Sequence, residues 1–387
     1  MTTSLYLHIP FCRHRCAYCD FNTYARQEDS IPAYVDALCR EISAVGQSRP
    51  GLAVGTIFFG GGTPSLLSAA DYRQIFASLR TSFELLPQAE ISLEANPGTV
   101  SSDYLHVLRE VGFNRISYGV QSANPEELRM LERIHAYSDV VDAVTWSRQA
   151  GFDNLNLDLI YGLPEQTLER WQHTVELICG LRPEHISAYA LTLEHGTPFG
   201  RWAAKGLLPI PDPDLAAEQY EWSMQFLAAK GYQQYEISNW SQPGRQCQHN
   251  LQYWRNLDYL GLGAGAHGYA GGFRYSNVLR IKTYIERCAQ EPGGLPFPLS
   301  SATVNQHRNS PRDDMQETML TGLRLTSEGI SAPVFYERFG QRLGDVFGPE
   351  IEKMVNYGLL EWAAETLRLT VRGRLLGNQV FMQFVDS

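Results

Sequence analysis

The sequence predicts an α/β protein: a partial parallel (β/α)6 barrel followed by a smaller helical, winged-helix-like C-terminal domain. Three observations predict it. Six short β-rich runs alternate with amphipathic stretches through the first half of the 387 residues, each run ending in a Gly, Pro or polar cluster. Cysteines, glycines, carboxylates and amides fall where those runs end, which is where a βα barrel keeps its functional groups. Beyond Gly200 the alternation fades, and a Gly/Pro-rich segment at 291–298 precedes a helix-rich tail.

In order, the expected strands are 5–9, 56–59, 91–94, 115–118, 155–159 and 185–190, rich in β-branched and aromatic residues. Between them, helical periodicity covers 31–45, 69–83, 101–111, 124–134, 138–150 and 167–181. Six strand–helix units require a parallel sheet, and right-handed crossovers curl such a sheet toward a barrel. A doubly wound open sheet is the alternative, since periodicity does not report closure. The aromatic-rich stretch 220–275 reads as a barrel extension. The resulting division is a barrel over 1–230, an extension and linker over 231–298, and a C-terminal domain over 299–387. In that last part helices are expected at 313–323, 332–339 and 349–357, and strands at 367–371 and 379–384.

Lys and Arg total 32 against 42 Asp and Glu, a net charge of −10, so non-specific binding to phosphate backbones is disfavoured. From Arg312 onward 8 basic and 11 acidic residues give −3, so the winged-helix resemblance does not make the tail a nucleic-acid module, and none is expected as a partner. No apolar run is long enough to span a bilayer, and the first residues lack a basic, apolar leader, so a cytoplasmic protein is expected, in transient contact with the membrane surface at most.

The strongest chemical signal is Cys12-Arg13-His14-Arg15-Cys16-Ala17-Tyr18-Cys19, a C-x3-C-x2-C spacing just after the first strand. The other four cysteines, Cys39, Cys179, Cys247 and Cys288, are scattered, which suits a metal site better than a disulfide framework. Iron–sulfur clusters usually take four cysteine ligands, so three leave one iron open. Zinc on three cysteines with His14 or His8 is the alternative, although structural zinc sites draw ligands as separated pairs. Three merely buried thiols fit poorly with the intervening Arg13, His14 and Arg15, whose charge favours thiolates instead.

The triplet, with Phe58-Phe59-Gly60-Gly61-Gly62-Thr63-Pro64-Ser65 after the second strand and Tyr118-Gly119-Val120-Gln121-Ser122 after the fourth, resembles the radical S-adenosylmethionine (SAM) superfamily. With Tyr6-Leu7-His8-Ile9-Pro10-Phe11 it is similar to the branch holding the oxygen-independent coproporphyrinogen III dehydrogenase, HemN, and the related HemW heme chaperones. The resemblance implies a [4Fe–4S] cluster on Cys12, Cys16 and Cys19, with SAM chelating the open iron. It places Gly61, Gly62 and Thr63 at the methionine end, and Glu94, Gln121, Arg133 and Asp158 as further SAM contacts, with Tyr6 and Tyr18 as aromatic walls. Taken singly, Arg133 also reads as a solvated partner of Glu132 or Glu127, and Asp158 as a cap.

Two departures separate the sequence from the dehydrogenase. That family has a further cysteine two residues after the third, where this chain has Phe21, and an N-terminal extension where this chain has eleven residues before Cys12. The second constellation, Cys247-Gln248-His249-Asn250-Leu251-Gln252-Tyr253-Trp254, matches the His-Asn-x-x-Tyr-Trp motif of HemW-type proteins. On chemistry alone His249 is a packing residue beside aromatics. The resemblance makes it the expected heme ligand, with Cys247 the alternative. The function the resemblance implies is that of a heme chaperone, handing heme to apoproteins such as respiratory heme enzymes and organised as a homodimer; the alternative is the coproporphyrinogen III dehydrogenase. His267, in the run Gly261-Leu262-Gly263-Ala264-Gly265-Ala266-His267-Gly268, reads as part of a close-packed loop.

Overall fold

The computed structural model describes residues 2–290 and 294–385. The chain opens with β1 (Thr3–Ile9), a short parallel pair β2 (Phe11–Cys12) and β3 (Tyr24–Ala25), and α1 (Ile31–Ser48). Then come β4 (Ala53–Gly61), α2 (Ala69–Ser82), β5 (Glu84–Ala95), α3 (Ser102–Val111), β6 (Arg115–Gln121), α4 (Pro125–Met130), α5 (Tyr137–Gln149), β7 (Leu155–Tyr161), α6 (Leu168–Gly180) and β8 (His185–Ala190). All six expected strands form, and β1-β4-β5-β6-β7-β8 lie side by side, parallel and in sequence order. Sequential order with one crossover hand keeps the helices on one face, whereas a doubly wound sheet needs a reversal of strand order. α1, α2, α3 and α5 accordingly pack neighbour on neighbour. The fold is a partial (β/α)6 barrel.

Alternation explains the core. In β1, Leu5, Leu7 and Ile9 are fully buried and belong to the same core as Tyr34, Leu38 and Ile42 of α1. The opposite strand faces, carrying residues such as Glu94, Ser117 and Asp158, line the barrel interior.

After α7 (Pro198–Ala204) and α8 (Pro213–Ala229), β9 (Gln233–Glu236) and β10 (Asn239–Ser241) add antiparallel strands beyond β8. On the other side, after α9 (Gln248–Trp254), β11 (Tyr259–Leu262) joins β1 in parallel, and β12 (His267–Ala270) and β13 (Phe273–Asn277) continue antiparallel. α10 (Ile281–Cys288) packs on α1, and β14 (Thr303–Arg308) completes the twelve-stranded sheet against β13. The division drawn from the sequence puts this last strand in the C-terminal domain; its hydrogen bonds place it in the barrel sheet. Residues 291–293 of the expected linker lie outside the described residues.

The tail has its own core. α11 (Pro311–Gly322), β15 (Ile330–Ser331), α12 (Ala332–Phe339), α13 (Leu343–Asn356), β16 (Leu360–Ala363) and β17 (Thr366–Leu369) gather around Met319, Phe347 and Leu367. Three helices and a β15-β17-β16 sheet form the winged-helix-like arrangement. α13 begins before Pro349 and kinks at Phe347, where φ is −128°. After α14 (Val371–Leu375), the expected strand at 379–384 is instead α15 (Gly377–Phe381) and a 3-10 turn, Met382–Phe384. Val380 and Phe384, both buried, stand four residues apart, and the segment carries that helical spacing as its anchor pattern. Among the described residues no helix is long and apolar enough to cross a membrane.

Candidate functional site

The barrel's strand ends surround a cavity of about 500 Å³. Its wall includes Cys12, Cys16 and Cys19 together with Gly61, Gly62, Thr63, Glu94, Gln121, Arg133 and Asp158, expected site residues drawn from separate loops and strand ends. Tyr18 and Phe21 line it too, with Phe21 62% exposed at the rim.

Backbone bonds fix the cysteine loop to the glycine turn. Gly62 N–H donates to Ile9 O at 2.9 Å and Thr63 N–H to Phe11 O at 2.7 Å, so the end of β4 is joined to the segment entering Cys12. A Cβ at Gly62 would lie 2.6 Å from Phe11 O, which is why this position needs glycine. Within the loop Cys19 N–H donates to Cys16 O at 3.1 Å, and Phe199 N–H reaches Ala17 O at 3.1 Å.

A relay of polar groups links two of the thiols. The Thr63 hydroxyl donates to Cys12 Sγ at 3.6 Å and accepts from Asn96 Nδ2 at 3.1 Å. Arg133 bonds Asn96 Oδ1, Gly119 O at 2.7 Å and Cys16 Sγ at 3.7 Å. Arg133 is therefore turned inward. Glu132 pairs with His14 at 3.0 Å, and Glu127 accepts from Ser122 at 2.5 Å. Burial pushes the Cys12 and Cys19 thiols up, and three thiols beside a guanidinium make a soft donor set of the kind thiophilic metals and clusters take. Among the described residues no three His, Cys, Asp or Glu side chains converge as on a single metal ion.

The two carboxylates sit deeper. Glu94 accepts from Gly61 N–H at 2.9 Å, and burial, reinforced by nearby Asp158, raises it to about 7. Asp158 accepts from Ser117 at 2.9 Å and Asn156 at 2.7 Å, its own pKa raised by burial. Two such groups side by side favour a cationic ligand. Gln121 holds φ at +70°, a conformation uncommon outside glycine, at the cavity wall.

Tyr6 and His249 stand apart, in an adjoining chamber of about 230 Å³ that shares Glu94 and Asp158 with the main cavity. Tyr6 hydroxyl lies 3.1 Å from His8 Nδ1. His249 is buried, stacked on Phe58, with Nδ1 2.7 Å from Thr56 Oγ1 and Nε2 2.8 Å from Tyr253 hydroxyl. Thr56 donates to Ser4 at 2.6 Å, which leaves the imidazole to donate from Nδ1 and accept at Nε2. As folded, neither ring nitrogen is free for an iron, and burial lowers the group to about 3, so the ring is neutral. Glu90 holds the start of α9, accepting from Gln248 and His249 N–H, each at 3.1 Å. Cys247 is fully buried and pushed up to about 12, which makes it a poor ligand in this setting.

Sequence reasoning missed Asn96, Arg115, Ser117, Asn156 and Tyr189, all of which line one of the two spaces. The signal was there: 115, 117, 119 and 121 of β6, like 156 and 158 of β7, share a face by alternation.

Residues 6–178 match the radical SAM superfamily, and residues 309–376 match the HemN C-terminal domain. The heme chaperone HemW of Bacillus subtilis is 39% identical over 389 residues, covering 99% of both chains. That of Haemophilus influenzae is 41% identical over 391 residues, covering 99% of this chain and 98% of its own. The chain belongs to the HemW family. HemW proteins fall within the radical SAM superfamily, whose members have a general capability for [4Fe–4S] and SAM binding. Among solved structures, the coproporphyrinogen III oxidase HemN of Escherichia coli, a radical SAM enzyme, aligns with a TM-score of 0.84 at 26% identity, covering 99% of this chain and 90% of its own. This HemW-family chain and HemN thus share the barrel and the appended domain.

Proposed function

We propose that this protein binds heme and passes it to acceptor apoproteins such as respiratory heme enzymes, in the cytoplasm, with a [4Fe–4S] cluster on Cys12, Cys16 and Cys19 and exchangeable SAM beside it. End-to-end similarity to heme chaperones carries the reading. The shared cavity supports the cofactor part, because three thiols, a glycine turn and two buried carboxylates open on one space. In it Gly61, Gly62 and Thr63 offer close backbone approach to the methionine end. Glu94 and Asp158 offer anions to the ammonium and ribose hydroxyls, and Arg133 holds the wall between Cys16 and Asn96. When bound and reduced, the cluster is able to supply one electron to the sulfonium.

The likeness to HemN favours a second reading, decarboxylation of coproporphyrinogen III. Phe21, where the resemblance calls for a cysteine in the dehydrogenase, weighs against it. Hemin titration of anaerobically purified protein tests the first reading, which expects a saturable Soret band and transfer to an apoprotein. Incubation with coproporphyrinogen III, SAM and a reductant tests the second. Protoporphyrinogen formed over many turnovers would replace the chaperone reading.

A further inference from the structure

A large open cleft outside the barrel interior lies between the antiparallel ribbon β12–β14 and α11, with a volume of about 580 Å³, within the range of cofactor sites. Its walls include His267, Tyr259, Arg274, Tyr275, His307 and Leu320. Register puts His267, Ser276 and Asn305 in one row across three strands, and Tyr269, Arg274 and His307 in the next row on the same face. His267 is exposed, and its ring makes no hydrogen bond among the described residues. His307 is tied to Asp313 at 3.5 Å, and Arg274 is clamped by Glu317 at 2.6 Å.

Behind this cleft stands the His-Asn-x-x-Tyr-Trp helix. His249 holds the Tyr253 hydroxyl at 2.8 Å, and the Tyr253 ring meets Tyr259 edge-on, centroids 4.5 Å apart. Tyr259 is, with Tyr275, one of the cleft's two tyrosine walls, and the Arg274 guanidinium stands over its ring. The motif therefore reaches the cleft through two rings without offering a ligand itself.

We infer that His267, not His249, gives the axial nitrogen to heme iron, with the macrocycle in this cleft beside Tyr259, and that His249 is a positioning residue acting through Tyr253. The inference rests on the heme reading above and names its site. A free imidazole is a common protein ligand to heme iron, and the flat tyrosine ring offers a face or edge to the macrocycle. The cleft's open side, edged by exposed Asn305, Gln306 and His307, leaves heme accessible to a receiving protein.

The test is hemin binding followed by electron paramagnetic resonance of the ferric complex, in which an oxidised [4Fe–4S] cluster is silent. Wild type, His267→Ala, His249→Ala and His307→Ala are compared, with iron and sulfide content and circular dichroism as fold controls. The expected result is that His267→Ala alone loses the histidine-ligated signal, loses about tenfold in affinity, and regains the signal with added imidazole. His249→Ala keeps the signal type with weaker binding. An unchanged His267→Ala complex, or loss of the signal in His249→Ala or His307→Ala instead, overturns the ligand assignment while leaving heme binding standing. A wild type without saturable hemin binding removes the heme reading, and this site with it.

Discussion

Replacing Glu94 with Gln tests the electrostatics of the barrel mouth through protein stability. Burial and Asp158 raise Glu94 from an ordinary 4.5 to about 7 in the folded protein, while its hydrogen bond from Gly61 N–H opposes the shift. Below pH 4.5 the carboxyl is protonated whether the chain is folded or not, and no penalty arises. As pH rises toward 7 the unfolded chain ionises freely and the folded one does not, so stability falls and the loss is complete above 7. The gap of about two and a half pH units corresponds to roughly 3 kcal/mol. Gln keeps an acceptor for Gly61 and carries no charge, so Glu94→Gln escapes that loss. Urea unfolding of cluster-free, SAM-free protein from pH 5 to pH 8 should show the variant gaining on wild type by about 2–3 kcal/mol. The same variant should bind SAM more weakly at pH 8, because a carboxylate facing a cation is gone. Parallel stability curves across this range would refute the assigned burial and charge coupling.

His249→Ala removes partners of Thr56 and Tyr253 in a buried site, and a loss of about 2–4 kcal/mol in urea unfolding is expected. Glu41 is a buried hub: Tyr284, Ser300, Asn277 and Gly263 all donate to it, at 2.6 to 2.8 Å, tying α1 to the glycine loop before β12. Glu41→Ala leaves these donors without an acceptor, and a destabilisation of about 3–5 kcal/mol should appear as a lower thermal midpoint. Gly62→Ala drives a methyl against Phe11 O, so iron and sulfide per chain after anaerobic reconstitution should fall below wild type.

Much of the barrel was legible because each strand–helix unit announces itself locally. Ile57 and Phe59, two apart on their strand, and Phe76 and Leu79, three apart on their helix, already carry their periods in the sequence. The tail's end was not, because in 379–384 only Val380 and Phe384 are fully buried, with Phe381 partly so, and their burial depends on a core assembled from residues 315–369. Strands β9 to β12, three or four residues each, are too short for a period to declare itself. At the site, spacing announced the cysteines and glycines. The Asn96 link between Thr63 and Arg133 depends on side chains converging from separate strand ends, and His249 is held by Thr56, 193 residues away. The free imidazole of His267 became visible only once strand register placed it beside a cleft.

The cofactor assignment requires that the three thiols at the barrel mouth carry one cluster with an iron open to SAM. Anaerobic reconstitution, with iron and sulfide analysis and electron paramagnetic resonance of the reduced protein before and after SAM, tests this directly. The expected result is about four iron and four sulfide per chain, a signal that changes on adding SAM, and loss of both in Cys12→Ser, Cys16→Ser and Cys19→Ser. One tetrahedral ion per chain, or a cluster signal indifferent to SAM, would contradict it.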